Sequence, residues 1–272
     1  MSLEKLIDQE VEKLELKTKK VLVTSDYHIP YLDKRAYKIM KSFAKDYKPD
    51  IFIINGDLVD FYRLSRFDKN PDRKTTVSDE IHLAREYLED LRKALGKKTK
   101  IYFVGGNHEQ RLQRYLWNNP ELADLDELRI DNLLHLKELK IKYVPVDGDY
   151  WSQDNGHLVL GNVLITHGDN RLNGASISKY SGYSIKNTIL GGTQMNTIIG
   201  HCHRLNHFFH TTPYGTLQGL EGGCLCQKTG TANWQQGFVT FELHEGKMVN
   251  PKLYYIFDGT MYANGKTYKY KK

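Results

Sequence analysis

The sequence predicts an α/β fold in which two β-sheets face each other and helices cover their outer sides. Three observations lead to this prediction. Apolar runs alternate with amphipathic helical segments through the first half of the chain, the pattern of strands joined by helical crossovers. Shorter apolar runs separated by turn residues fill the second half, where we expect a more antiparallel sheet. Polar motifs follow directly after several of these runs.

The first half alternates regularly after an N-terminal helix. Leucine, isoleucine and valine recur at near-helical spacing among charges over residues 3–17, so residues 1–19 are predicted to form a helix packed on the outside of the domain. Because helical crossovers join parallel strands, the sheet that follows should be largely parallel. Its predicted strands are 20–25, 51–55 and 101–104, and its predicted helices are 34–47 and 77–95.

Short helices are predicted next, and strands dominate after them. The helices, at 109–117, 121–128 and 131–139, form a helical insertion at about 109–140. No linker rich in Pro, Gly or Ser divides the chain, so residues 20–272 are predicted to form a single domain. Asn155-Gly156 is one of the turn signals in the second half. Strands are predicted at 142–146, 157–160, 163–166 and 197–199, with several more between 205 and 257.

Composition narrows the classes of function. The 272 residues carry a net charge of +6, which favours anionic partners but falls short of a dedicated nucleic-acid-binding domain. Three cysteines and no apolar signal core predict a cytoplasmic protein. No apolar run approaches the roughly 20 residues that cross a bilayer, so no membrane partner is expected. Cys224 and Cys226 are predicted to pack in a strand pair rather than to bind zinc. The oligomeric state stays open.

Five short motifs carry residue types that bind metal ions. Three of them begin where a predicted strand ends, and open α/β sheets bind ligands outside the carboxyl ends of their strands. Carboxylate, amide and imidazole groups suit divalent cations such as Mn, Fe or Zn. The motifs are Asp26-Tyr-His28, Gly56-Asp57-Leu-Val-Asp60, Gly106-Asn107-His108-Glu109, His167-Gly-Asp169 and Gly200-His201-Cys-His203. The candidate metal ligands are Asp26, His28, Asp57, Asn107, His167, His201 and His203.

Within these motifs the residues receive different roles. Extended backbone would point Asp26 and His28 to the same side, where they could share one ion. Asp57 is the candidate bridge, since one carboxylate can hold two cations about 3.5–4 Å apart. His108 is predicted to be the general acid that reaches the leaving oxygen. Asp60 would orient His108 and raise its pKa, although a solvated loop residue is the alternative for Asp60.

The ordered series D-x-H, GD-x-x-D, GNHE, HG and GH-x-H resembles the calcineurin-like metallophosphoesterase superfamily, and the resemblance spans residues 26–203. It implies a four-layer α/β-β/α sandwich and a binuclear metal-dependent phosphoesterase. A metal-bridging hydroxide would attack phosphorus while His108 protonates the leaving group. We expect two divalent metal ions, with Mn first and Fe, Zn or Ni as alternatives. One ion would be held by Asp26, His28, Asp57 and His203, and the other by Asp57, Asn107, His167 and His201.

The expected substrate is phosphorylated, and phosphodiesters of nucleotides or nucleic acid come first. A phosphomonoesterase, including a protein phosphatase, and a non-catalytic scaffold that retains the fold are the alternatives. The protein phosphatases of the superfamily continue GD-x-x-D with Arg-Gly, whereas Phe61-Tyr62 follow here, which argues against protein phosphatase activity.

Four residues are candidates for binding the substrate, and each has a structural alternative. Arg111 could clamp phosphate or lie on an exposed helix face. Arg63 belongs to a basic loop, residues 62–74, that could guide a phosphorylated chain or simply be solvated. Lys179 and Tyr180 fall in the polar segment 170–196, which its length suggests as a recognition loop. The alternation of aromatic residues and lysines there could also arise by chance, because the chain contains 18 tyrosines.

Overall fold

Two β-sheets pack face to face in the computed structural model, which describes residues 18–146, 156–169, 180–228 and 232–271. The predicted N-terminal helix and Lys179 lie outside the described residues. The strands are β1 (Thr18–Thr24), β2 (Ile51–Asn55), β3 (Lys100–Val104), β4 (Ile141–Val144), β5 (His157–Leu160), β6 (Val163–Thr166), β7 (Asn196–Ile199), β8 (Leu205–Thr212), β9 (Gly215–Gly222), β10 (Gln236–His244), β11 (Lys247–Ile256), β12 (Thr260–Ala263) and β13 (Lys266–Lys269).

The first sheet has the strand order β11-β10-β1-β2-β3-β4. Strands β1 to β4 are parallel, as the sequence predicts, and β10 and β11 add an antiparallel edge beside β1. The second sheet has the order β5-β6-β7-β9-β8. Its central strands β6, β7 and β9 are parallel, and its edge strands β5 and β8 pair antiparallel. The pairs β10–β11 and β12–β13 are also antiparallel, so the second half of the chain is more antiparallel than the first, as predicted.

The helices begin and end at recognisable signals. They are α1 (Lys34–Tyr47), α2 (Val77–Leu95), α3 (Glu109–Trp117), α4 (Pro120–Ala123), α5 (Ile130–Leu133) and α6 (Tyr183–Leu190), with single 3₁₀ turns at Tyr62–Leu64 and Asp126–Leu128. The Asp33 carboxylate caps α1 by accepting from the amides of Arg35 and Ala36. Thr76 and Asp79 form a capping box at the start of α2.

Alternating side chains divide the core into layers. On β1, Leu22 joins the cluster beneath α1 and α2, while Val21 and Val23 join the cluster between the two sheets. On the outer side of the second sheet, Ile185 and Ile189 of α6 pack against β7 and β8. The order of layers is therefore helix, sheet, sheet, helix. This is the four-layer sandwich that the resemblance implies.

Two stretches differ from the predicted elements. The helix predicted at 121–128 divides into α4 and a 3₁₀ turn, because the backbone of Leu125 between them is extended. The helix predicted at 131–139 is reduced to α5, which ends shortly before His135, a residue with a left-handed backbone. The segment 170–196 is not only a loop, since α6 lies within it. Among the described residues, no helix has the length and apolar character needed to span a membrane. The single-domain boundaries remain a prediction.

Candidate metal centre

The five motifs meet at one edge of the paired sheets. The loops after β1, β2 and β3 supply the first three motifs, and those after β6 and β7 supply the last two. Backbone contacts lock the loops together. The His28 amide donates to the Asp57 carbonyl at 2.9 Å, and the His201 amide donates to the Asp26 carboxylate at 2.9 Å. The Gly200 amide donates to the His167 carbonyl at 3.0 Å.

One group of predicted ligand atoms surrounds Asp26 Oδ1. His203 Nε2 lies 3.0 Å from this oxygen, and His28 Nε2 lies 3.7 Å from it. The two imidazole nitrogens are themselves 3.0 Å apart. Three donor atoms at this separation can surround a single cation, since metal–nitrogen and metal–oxygen bonds are about 2.0–2.2 Å long.

A second group surrounds Asp57 Oδ2. His167 Nε2 lies 3.0 Å from it, and the ligand atoms of Asp57, His167 and His201 all fall within 4.8 Å of one another. The same oxygen is 3.7 Å from His28 Nε2, so the Asp57 carboxylate stands between the two groups. The other oxygen of Asp57 is held by the His108 amide at 2.9 Å.

Three of the predicted ligand atoms are buried and lack a well-aligned hydrogen bond to a described residue, although two of them face an oppositely charged ligand group at 3.0 Å. They are Asp26 Oδ1, Asn107 Oδ1 and His167 Nε2. Leaving a buried polar atom without a partner costs about 1–3 kcal/mol, and more for a charged group. A cation would satisfy all three, so the residues fit a divalent metal ion.

Burial and charge set the protonation of the centre. Burial alone would raise the carboxyl pKa of Asp26, but His203 and His28 hold it well below its usual range. Burial opposes the charged form of His167, yet Asp57 outweighs it and raises the His167 pKa to about 10. Burial and the neighbouring His167 lower the pKa of His201 to about 4. In the metal-free centre, imidazole protons thus balance the carboxylates, and a cation takes over that role.

Five predicted ligands have left-handed backbone conformations. The φ angles are 55° at Asp26, 48° at His28, 52° at Asp57, 62° at His201 and 57° at His203. The expectation that extended backbone brings Asp26 and His28 together is therefore wrong. Left-handed backbone at both residues brings their side chains together instead, and only a few per cent of non-glycine residues adopt this conformation. Such strain persists where surrounding contacts enforce it, which is typical of functional sites.

Glu109 anchors the centre, a role that the sequence argument missed. Its buried carboxylate accepts four backbone amides, from Asp57 at 2.9 Å, Leu58 at 3.0 Å, Val59 at 3.1 Å and Gly106 at 2.8 Å. Burial and Asp57 raise the pKa of Glu109. The four N–H donors occupy both oxygens, which favours the ionised form. The place of Glu109 at the end of the motif GNHE was the only signal in the sequence.

Other supporting contacts were also missed. The Asn55 carbonyl lies 2.8 Å from His167 Nδ1, which directs Nε2 towards Asp57. The Ser25 hydroxyl donates to the Asp26 carboxylate. A side chain at Gly56 would collide with the His167 ring, so the close approach of the loops requires glycine at this position, whose φ is 84°.

Cys226 lies beside the centre, contrary to the prediction of a simple strand pair. Its sulfur is 3.9 Å from His203 Nδ1 and groups with His28 and His203. Cys224 and Cys226 are buried, but each forms only an isolated bridge, to Gln236 and Leu32 respectively. The hydrogen bond with Cys224 and burial raise the pKa of the Cys226 thiol, so it remains a neutral neighbour.

The candidate general acid lies at the mouth of the centre. His108 Nδ1 is 3.0 Å from Asp60 Oδ1 and 2.8 Å from the Asp60 carbonyl, while its Nε2 is 3.7 Å from Asp57 Oδ2. The Asp60 carboxylate also lies 3.1 Å from His28 Nδ1. Burial would raise the Asp60 pKa, but hydrogen bonds with both histidines hold it well below its usual range. The Asp60 residue is only 7% exposed, so it is not the solvated loop residue that was the alternative.

The substrate-binding candidates that the structure describes have different surroundings. Arg111 is partly buried at the site, where its guanidinium donates to the Asp60 carbonyl at 2.7 Å and to His108 Nε2 at 2.9 Å. Arg63 is exposed, and its guanidinium donates to the Lys74 carbonyl at 3.0 Å within the basic loop. Tyr180 is 74% exposed. Arg111 thus contacts the candidate general acid His108 and its neighbour Asp60.

Comparisons with known proteins agree with this centre. The family model described as calcineurin-like phosphoesterase matches residues 19–205. The Gene 54 proteins of Mycobacterium phages L5 and D29 are each 28% identical to this chain over 269 residues, covering 93% of this chain and 99% of theirs.

Two solved structures are among those that are similar to this chain. Vacuolar protein sorting 29 of Cryptosporidium parvum has a TM-score of 0.44 at 16% identity, with 93% of this chain and 95% of that chain covered. YfcE, a phosphoesterase from E. coli, has a TM-score of 0.39 at 13% identity, with 86% and 98% covered. On the family match and the gathered ligands, the chain belongs to the calcineurin-like phosphoesterase family and is a metal-dependent phosphoesterase.

Proposed function

We propose that this phosphoesterase hydrolyses phosphodiesters of nucleotides or nucleic acid with two divalent cations, manganese first. The position of Asp57 carries the proposal. Its Oδ2 is 3.0 Å from His167 in one group of ligands and 3.7 Å from His28 in the other. One ion would be held by Asp26, His28, Asp57 and His203, and the other by Asp57, Asn107, His167 and His201.

Divalent cations at these positions would stabilise charge on the phosphoryl oxygens and lower the pKa of water. The chain's own residues supply the rest. The ionised Asp60 fixes His108 through Nδ1, which leaves Nε2 facing Asp57 and the ligand atoms. In the substrate-free centre Nε2 accepts a hydrogen bond from Arg111, so His108 carries an Nε2 proton for the leaving oxygen only once that guanidinium has turned to the substrate. The Arg111 guanidinium, 2.9 Å from the same Nε2, lies where a phosphoryl oxygen would approach and can bind it.

Two features favour a diester over a monoester. Phe61 is fully buried where the protein phosphatases of the superfamily place arginine, so no second guanidinium is supplied from that position. A monoester dianion gains more than a diester monoanion from such additional charge. Outside the centre, the basic loop 62–74 has five basic and two acidic residues, which suits a chain of phosphates.

The proposal is tested by hydrolysis of bis-p-nitrophenyl phosphate and p-nitrophenyl phosphate after chelation and reloading with Mn²⁺. We expect the diester to be hydrolysed with the higher kcat/KM, and Mn²⁺ to restore more activity than Zn²⁺ or Mg²⁺. Turnover of the monoester alone would contradict the diester assignment and favour a phosphomonoesterase. No turnover of either compound by the fully loaded protein would favour a non-catalytic scaffold.

A further inference from the structure

Aromatic rings and basic groups alternate on the surface next to the metal centre. We call this surface the aromatic-basic strip and define it by Tyr62, Arg73, Tyr31, Lys228, Tyr255 and Phe257. Its members come from four separate parts of the sequence, the loop after Asp60, the loop after His28, the loop after β9 and the end of β11. None of them belongs to the five motifs.

The strip begins at the metal centre. The Tyr31 amide donates to the carbonyl of His28, a predicted ligand, at 2.6 Å. Tyr62 lies two residues after Asp60. The Gln227 amide donates to the Tyr31 carbonyl at 2.8 Å, and Lys228 is the next residue in the chain after Gln227. The two halves of the strip are thus joined through backbone contacts beside the site.

Each cation lies over a ring. The Arg73 guanidinium is 4.2 Å from the centroid of Tyr62 and 5.1 Å from that of Tyr31. The Lys228 ammonium is 5.7 Å from the centroid of Tyr255, whose ring is 6.0 Å from that of Phe257. These distances are those of cation–π contacts, which fix the orientation of a cation without neutralising it.

The strip remains open and positively charged. Tyr255 is 46% exposed and Phe257 is 64% exposed, so two large rings that are two positions apart at the end of β11 are both open to solvent. Neither Arg73 nor Lys228 pairs with an acidic group among the described residues. Surfaces that bind single-stranded nucleic acid have two components. Exposed aromatic rings stack with the bases, and unpaired cations neutralise the phosphates.

We propose that the aromatic-basic strip binds single-stranded nucleic acid and leads it to the metal centre. The inference rests on the proposed phosphodiesterase function, to which it adds the substrate class. Bases would stack on Tyr62, Tyr31 and Tyr255, while Arg73 and Lys228 contact phosphates. A duplex keeps its bases inside the helix and offers no free faces to these rings, so single strands should be preferred.

Binding is tested without catalysis, in the presence of EDTA. The probe is a fluorescein-labelled oligothymidylate of about 12 nucleotides, a length within the site sizes of single-strand binders, and anisotropy is followed over a salt series with the full chain. Tyr255→Ala should weaken binding about tenfold through lost stacking. Lys228→Gln should reduce the slope of log K against log salt by about 0.7, the value for one phosphate contact on a single strand.

Lys20→Gln is the matched control. The Lys20 ammonium lies 5.5 Å over the Tyr47 ring, much as Lys228 lies over Tyr255. Lys20 is near the start of β1, whereas the metal centre follows the end of that strand. This variant should bind the probe with unchanged affinity and salt slope. Tyr255→Phe keeps the ring and should restore binding, which separates lost stacking from lost folding.

Equal affinity of the wild-type protein and the Tyr255→Ala and Lys228→Gln variants would overturn the strip, as would equal weakening by Lys20→Gln. Tighter binding of a duplex of the same length would also overturn it. Hydrolysis of bis-p-nitrophenyl phosphate reports separately on the proposed function. Turnover without oligonucleotide binding removes only the strip. Binding without turnover leaves the strip in place and removes its assignment as the path of a substrate.

Discussion

Glu109 provides the sharpest test of how the fold supports the centre, through the substitution Glu109→Gln. The carboxylate accepts the amides of Asp57 and Gly106 through one oxygen and those of Leu58 and Val59 through the other. Glutamine is nearly isosteric, but only one of its terminal atoms accepts hydrogen bonds. Two of the four amides would therefore face an NH₂ group.

The magnitude follows from these two amides. Each buried N–H that loses its acceptor costs about 1–3 kcal/mol, so Glu109→Gln should lower the free energy of unfolding by about 2–6 kcal/mol. The loops that carry Asp57 and Asn107 would also lose their common anchor. Residues that orient metal ligands typically contribute about 10- to 100-fold to metal affinity, and we expect a loss of that size for Mn²⁺.

The assay combines urea unfolding of the metal-free protein with calorimetric titration of Mn²⁺. Met40→Ala is the matched control, because Met40 is a fully buried residue on the inner face of α1 and its truncation should cost a similar ~2–5 kcal/mol. That variant should keep its Mn²⁺ affinity. A loss of less than about 1 kcal/mol of stability in Glu109→Gln, or an equal loss of metal affinity in both variants, would contradict this role of Glu109.

Three further predictions concern separate residues. His108→Ala should lower the rate of diester hydrolysis by about 10²–10⁴-fold while elemental analysis finds the metal content unchanged; loss of metal instead would show that His108 is a ligand. Asp57→Ala should weaken both ions, and calorimetry that still finds two full-strength sites would refute the bridge. Burial and Asp60 raise the pKa of Glu80 from 4.5 to about 7, so the stability that its protonated form contributes is complete below about pH 4.5 and is lost as the pH rises through 7. Between pH 5 and 8, metal-free wild-type protein should thus lose about 2–3 kcal/mol more stability than Glu80→Gln in denaturant titrations, and identical losses would contradict the pKa shift.

The elements that the sequence predicted well are those with strong periodicity. The bounds of α1, α2, α3, β2, β5 and β6 agree with the structure because their apolar spacing and flanking turn residues point to the same answer. The helix α6 was missed because a polar, glycine-rich context hid the spacing of Ile185 and Ile189. The strand order of the second sheet could not be predicted, since β10 and β11 cross back to the first sheet through contacts far apart in sequence.

The ligand residues could be predicted from the motifs, but their supports could not. Asp57 and His167 stand out as polar residues after apolar strands. Asn55 and Glu109 act through a backbone carbonyl and through backbone amides, and no pattern of residue types reveals such contacts. Cys226 lies 23 positions from His203 in the chain, and only the folded structure brings them together.

The central claim is that one carboxylate joins two clusters of ligands around a pair of ions. The most direct measurement is the metal content of the purified chain after chelation, reloading with Mn²⁺ and removal of free ion, determined by elemental analysis against protein concentration. Two ions per chain is the predicted result. A single ion, or none, in protein that remains folded would contradict it.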